Sequence, residues 1–486
     1  MRGGLIGSGC VAILWGFFLL IEQARLAGGV YGLSGRFRPG SIRDVAWRAE
    51  QLAAALVEAG VLGPGTEVVI AGVGPAGVAA TGACLAAGAT VTVVSGASGR
   101  QSILQRSTRH VCPTTFDHPM DHWQIGSHPL PGQDAAVAWA AGPADRLLAG
   151  FAANLNRWLR ETPRFRVVGS TDFVGYEAVG GGGVVVSCSG GLTLRADLLL
   201  LATGIGFSRR GVPGSLFRSR DYWESHDTVF KPPRAAGLRV LVAGGGDGAL
   251  NDLVRLLTGR ASVDTLLEEV DRCLPLTLVR EHAEHAWREF AAGGDEAAER
   301  RRLRDRQRWL DGHLDELWGR AAVRAVIGDA ALPLTRRSCV RLVTREAWFD
   351  DAYLVNRLLA GLLLRFLGED LPGRNGGLVP LLCGWEVAGC VGLNGHACEG
   401  DRHLCAKHPH RVRFRRWPGA ARPDADRPFL STRGVEGDYD RVLLRIGADA
   451  AAGAGAGADA GVAAAPAGAA EHRHVPPFYS RGFRDG

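Results

Sequence analysis

The tightest constraint on the fold is the stretch EVVIAGVGPAGVAATGACLAAGATVTVVSG, Glu67 to Gly96. Glu67 to Ala71 is an apolar, β-branched run of the kind that fills a buried parallel strand. Gly72, Gly74 and Gly77 follow in G-x-G-x-x-G spacing and open an Ala-rich helix. The first glycine permits a tight turn, the second lets backbone approach a pyrophosphate, and the third lets helix pack closely on strand. The phosphates would lie at the helix N-terminus. After Gly88, TVTVV supplies a second strand. Strand, glycines, helix and strand in this order predict a dinucleotide-binding βαβ unit.

Such units usually end their second strand in an acid that binds the adenosine ribose hydroxyls. Here that place is taken by Ser95. A serine hydroxyl can hydrogen-bond there without the strength of a charged acceptor. The contact is therefore expected to be loosened, or shared with Ser98 or Arg100. An arginine in this place could also favour a 2′-phosphate, so the nucleotide is not settled by this position alone.

A second stretch, GGGVVVSCSGGLTLRADLLLLATGIG, reads as two short strands joined by Ser189 to Gly191, after which Asp197 leads a buried strand into Ala202, Thr203 and Gly204. With these motifs the chain resembles the two-dinucleotide-binding-domain flavoproteins, the group that holds flavin-dependent disulfide reductases and monooxygenases. The resemblance implies FAD at Gly72, Gly74 and Gly77, with Thr203 and Gly204 near it, and it specifies a flavoprotein and not a substrate.

The same architecture implies a second nucleotide fold, and GLRVLVAGGGDGALNDLVRLL supplies strand, turn and helix with Gly244, Gly246 and Ala249 in G-x-G-x-x-A spacing. By resemblance this fold would take NAD(P)H. Two features argue the other way, toward a vestigial or purely structural fold. No second strand ending in an acid or arginine follows within about 20 residues, because SVDTLLEEVDRCL reads as a helix. Asp247, inside the turn, would repel a pyrophosphate unless it points away or binds a ribose. Asn251, Asp252 and Arg255 are either polar site groups or a solvated helix face. Near the end, DYDRVLLRIG repeats the shape of RADLLLLATG and suggests the closing strand of the second fold.

The fold class expected is therefore α/β, with two Rossmann-like dinucleotide-binding folds: an FAD-type fold with a β-meander, then an NAD(P)-type fold with a helical insertion. In residues, 28–232 form the FAD-binding domain and 233–447 the second domain, with the insertion near 279–320. Residues 448–486 are an Ala/Gly-rich linker and a tail without expected order. Residues 1–27 are a candidate membrane anchor, since residues 3–21 carry no charge and are just long enough to cross a hydrocarbon core. The arginines that follow would leave the body in the cytoplasm, anchored to the inner face of the cell membrane. A buried segment and a mistaken translation start are the competing accounts.

Composition narrows the function. With 486 residues and 46% apolar content the chain can bury a large core, and its net charge of +6 carries no basic stripe interleaved with aromatics. A nucleic-acid partner is not expected; a small-molecule substrate is. No two of the ten cysteines stand in C-x-x-C spacing, which argues against a thioredoxin-type disulfide centre. The group Cys390, His396, Cys398, His403, Cys405, His408 and His410 matches no usual paired-ligand pattern, so no metal is expected. His110, His118, His122 and Trp123 lie in a Pro- and His-rich stretch, and His118 and His122 are the candidates for proton transfer.

The reaction expected is that of an FAD-dependent oxidoreductase, reduced by NAD(P)H and acting on a small molecule. An F-x-G-x-x-x-H stretch, usual in flavin monooxygenases, is absent near the A-T-G turn. The alternatives are a membrane-tethered nucleotide-binding sensor without turnover, and a flavin oxidase that takes electrons directly from its substrate.

Overall fold

The computed structural model describes residues 20–33, 42–96, 107, 109–112, 141–180, 182–204, 208–209, 217, 219, 222–223, 238–260, 262–273, 312–335, 338–345, 349, 352, 354–370, 380–393, 409–417, 430–431 and 436–448. These fall into two compact units, one built from described residues of 20–107, 141–204 and 448, the other from those of 109–112 and 208–447.

In the first unit, β1 (Arg25–Ala27) and β2 (Val30–Gly32) form a hairpin, and α1 (Ile42–Glu58) packs on α2 (Pro75–Ala86). Between those helices in sequence lies β3 (Glu67–Ala71), and β4 (Thr90–Val94) follows. Then come α3 (Ala144–Glu161), β5 (Phe165–Val168), the strands β6 (Phe173–Ala178), β7 (Val184–Cys188) and β8 (Thr193–Ala196), and β9 (Leu198–Leu201). The main sheet has the order β1-β2-β9-β3-β4-β5, parallel from β2 onward. β6, β7 and β8 form an antiparallel meander.

The alternation of side chains along a strand explains the layers. Val69 and Ala71 of β3 pack with Val184, Val186 and Cys188 of the meander, so the meander covers one face of the sheet. Ala76 to Thr81 of α2 are all buried, which their small side chains make feasible by allowing close approach. Pro75 starts it at a position whose N–H needs no helical partner.

The second unit repeats the plan. β10 (Leu238–Ala243) leads into α4 (Asp247–Thr258), which ends at the left-handed Gly259. α5 (Asp264–Cys273), α6 (Ala321–Thr335), β11 (Ser338–Thr344) and α7 (Leu354–Arg365) follow, then β12 (Leu381–Cys383). Then come β13 (Trp385–Gly392), β14 (His410–Arg416), β15 (Leu430–Ser431), β16 (Gly437–Tyr439) and β17 (Arg441–Leu444). The parallel sheet has the order β15-β12-β11-β10-β17, and β13, β14 and β16 form a second antiparallel meander. Leu241 and Ala243 of β10 pack with Val387, Cys390 and Val412 of that meander.

The repetition extends to single hydrogen bonds. Glu67 N–H donates to Asp197 Oδ2 at 2.8 Å and Asp197 N–H donates back to Glu67 O at 2.9 Å. In the second unit Arg239 N–H donates to Asp440 Oδ2 at 2.7 Å and Asp440 N–H to Arg239 O at 2.8 Å. The acid noticed at the head of each closing strand thus ties that strand to the start of the first.

Residues 264–273 are helical, as their pattern suggests, and the strand that follows α4 in the sheet is β11, reached only after α5 and α6. Most of the expected insertion at 279–320 lies outside the described residues; 312–319 are helical. Among the described residues no helix is long and apolar enough to cross a membrane. Of the candidate anchor at 3–21, only Leu20 and Ile21 are described, and both are buried. The tail from 449 onward also lies outside the described residues.

Candidate functional site

In the first unit, β3 and β9 lie side by side and the chain leaves β3 toward β4, away from β9. The crevice at their C-terminal ends is the switch point where open α/β sheets bind ligands. Gly72 turns there with φ +115°, and a Cβ on it would lie 2.4 Å from Ala202 O. A Cβ on Gly77 would lie 2.0 Å from Gly72 O. Both positions are therefore closed to any side chain. Gly74, in contrast, caps α2 with nothing within 4 Å of its built Cβ, so the backbone there faces open space. Ala202 N–H donates to Ala71 O, and Thr203 and Gly204 follow on the exposed rim, Gly204 at φ +95°.

Ser95 stands at the end of β4 and is half-buried. Its N–H donates to Val168 O at 3.0 Å and its carbonyl accepts from Thr171 N–H at 2.9 Å. The carboxylate of Asp172 lies close by: Oδ1 is 2.8 Å from where a Cβ on Gly96 would be. Sequence spacing does not single out Asp172, since it reaches this point from the far side of β5. Arg100, His118 and His122 lie outside the described residues.

The second glycine turn has the same construction. Gly244 has φ +141°, a Cβ on it would lie 2.3 Å from Arg445 O, and Ala249 is fully buried in the place of Gly77. Gly246 caps α4 with open space beside it. Asp247, the first residue of α4, accepts from Asn356 Nδ2 at 2.6 Å through Oδ1, which turns its carboxylate toward α7. The geometry removes the objection that this acid faces the phosphate seat. β11 ends at Thr344, and Arg345 follows it, paired with Glu386 at 3.0 Å and 4.3 Å from the Trp417 ring centroid.

Beneath this turn lies a buried charged group. Asp252, on the second turn of α4, accepts from Arg109 at 2.6 and 3.3 Å and from Arg445 Nε at 2.6 Å. The Arg109 guanidinium lies 3.9 Å from the Tyr222 ring centroid, and that ring packs against Gly248. Burial raises the cost of charge on Asp252, but the two guanidiniums outweigh it and hold the carboxyl down at about 2. Burial pushes the Tyr222 phenol up to about 12. Asn251 and Asp252 are thus buried and not a solvated face. The equivalent positions in the first unit, counted from the first glycine and from the closing strand, are Ala80 and Ala202.

His410 is buried edge-on to Phe217, with ring centroids 5.0 Å apart, and Cys390 is buried in the core. His396, Cys398, His403, Cys405 and His408 lie outside the described residues.

The architecture is a tandem pair of Rossmann-like folds. No family model matches the chain, and no curated protein matches it. Among solved structures it is similar to thioredoxin reductase from Lactococcus lactis, at 12% identity over 79% of this chain and 77% of that one, with a TM-score of 0.34. Bacillithiol disulfide reductase from Staphylococcus aureus aligns over the same shares at 11% identity and a TM-score of 0.39. Cyclohexanone monooxygenase from Rhodococcus sp. Phi1 bound to NADP+ aligns over 40% of this chain and 36% of that one, at 18% identity and a TM-score of 0.26. At these values the chain's own residues carry the reading of its function.

Proposed function

We propose that the chain is an FAD-dependent oxidoreductase that draws electrons from NAD(P)H and acts on a small molecule. The observation that supports this most is the doubled glycine cradle: Gly72 and Gly244 each admit a carbonyl oxygen where a Cβ would sit, while Gly74 and Gly246 each leave backbone open. A turn built only to connect strand and helix would not need an open second glycine in both copies.

The residues fit the two nucleotides. In the first unit, backbone N–H groups from Gly74 onward and the N-terminus of α2 receive the pyrophosphate of FAD, with Thr203 and Gly204 on the rim. In the second, the turn from Gly244 to Ala249 receives the pyrophosphate of NAD(P)H, and Asn356 keeps the Asp247 charge off it. FAD, when bound, would supply two-electron redox chemistry with reduced nicotinamide as the donor. The protein contributes position and electrostatics. Cysteines in C-x-x-C spacing are absent from the sequence, so electron transfer through such a pair is not part of this reading.

The test is cofactor content. Denaturing the purified chain should release FAD in about one-to-one ratio, identified by its mass. Release of no flavin, together with failure to take up added FAD, would sink the proposal.

A further inference from the structure

The first nucleotide fold lacks an acid at the end of β4, yet the structure delivers one there from another element. Ser95 N–H donates to Val168 O at 3.0 Å, and Thr171 N–H donates to Ser95 O at 2.9 Å. These bonds fold the turn after β5 across the end of β4. Ser170 in that turn is the one non-glycine residue with positive φ among the described residues, at 54°. Backbone of this kind costs free energy and tends to persist where a site needs it.

Asp172 closes the turn. Its N–H donates to Ser189 Oγ at 2.9 Å, and its carbonyl accepts from Ser189 N–H at 2.8 Å, so the meander fixes its main chain. Its Oδ1 lies 2.8 Å from the point where a Cβ on Gly96 would stand. The carboxylate therefore lies beside residue 96, one position past Ser95, and a side chain there would make it shift. Asp172 is exposed, as an acid that meets a ligand must be.

We propose that Asp172 is the ribose-binding acid of the first site: its carboxylate accepts hydrogen bonds from the adenosine 2′- and 3′-hydroxyls of FAD. This rests on the FAD reading of the first unit. A charged acceptor is stronger than a serine hydroxyl, and a ribose diol held at the strand end is the ligand that the fold's geometry brings to it. Ser95 then serves the site through its backbone, by holding the turn that carries Asp172.

The experiment strips FAD from the full chain, titrates FAD back to obtain its affinity for each protein, and converts competition by ADP and 2′,3′-dideoxy-ADP into inhibition constants with that affinity. Competition against FAD reports on the first site alone. In the wild type, ADP should compete about tenfold better than its dideoxy analogue. Asp172→Ala and Asp172→Asn should each weaken ADP about tenfold and leave the dideoxy analogue unchanged. An FAD affinity and an ADP inhibition constant that are equal in wild type and variants would overturn the role of Asp172. So would a parallel loss for both ligands, which would make the residue a strut of the turn. A wild type that takes up no FAD would instead sink the FAD reading, and this proposal with it.

Discussion

Arg445 Nε donates to Asp252 Oδ2 at 2.6 Å, with both side chains buried beneath the second glycine turn. Arg445 also places its carbonyl against Gly244, so one residue serves the turn through its backbone and α4 through its side chain. Removing the acid would leave Arg109 and Arg445 facing each other without it. Asp252→Asn should therefore destabilise the second unit by about 3–5 kcal/mol, read by denaturant unfolding. FAD content should be unchanged, because the first unit holds its own turn.

The same group sets an acid limit on stability. The Asp252 carboxyl titrates at about 2 in the folded chain against about 3.9 when unfolded. A depressed pKa gives stabilisation that is complete above about pH 5 and disappears as pH falls through about 2. Melting temperature followed from pH 6 to pH 2 should fall more steeply in the wild type than in Asp252→Asn. Parallel curves would show that the ion pair does not contribute.

The two glycines of the first turn should separate folding from binding. Gly72→Ala meets Ala202 O at 2.4 Å and a positive φ, so it should cost about 3 kcal/mol or more and lower the yield of folded protein. Gly74→Ala meets nothing within 4 Å, so its melting temperature without cofactor should match the wild type while FAD binding weakens. Gly246→Ala should do the same for NAD(P)H and leave FAD in place.

Asn356 offers a charge test. Asn356→Ala removes the hydrogen bond that draws the Asp247 carboxylate toward α7, and NAD(P)H binding should weaken about tenfold, more at low salt. Adding Asp247→Asn should recover the affinity. Without that recovery, Asn356 matters only for packing α7 on α4.

Much of this was legible in the sequence because local periodicity carries it. The strand, glycine and helix order at Glu67–Ala86 and Leu238–Thr258 needs no distant partner, and Asp197 and Asp440 announce their closing strands by the same spacing. What sequence did not show depends on long-range return. β11 lies 95 residues beyond β10 because helices intervene, so a search within about 20 residues finds none. Arg109 meets Asp252 across 143 residues. Asp172 reaches the end of β4 only because β5 pairs with β4 and its turn folds back.

The most direct test of the central claim is an absorption spectrum of the purified chain from about 300 to 550 nm, recorded without oxygen before and after adding NADPH, and separately NADH. A flavin spectrum that bleaches with either nucleotide is the predicted result. A flavin spectrum unchanged by both would contradict electron supply from NAD(P)H to a flavin in this chain.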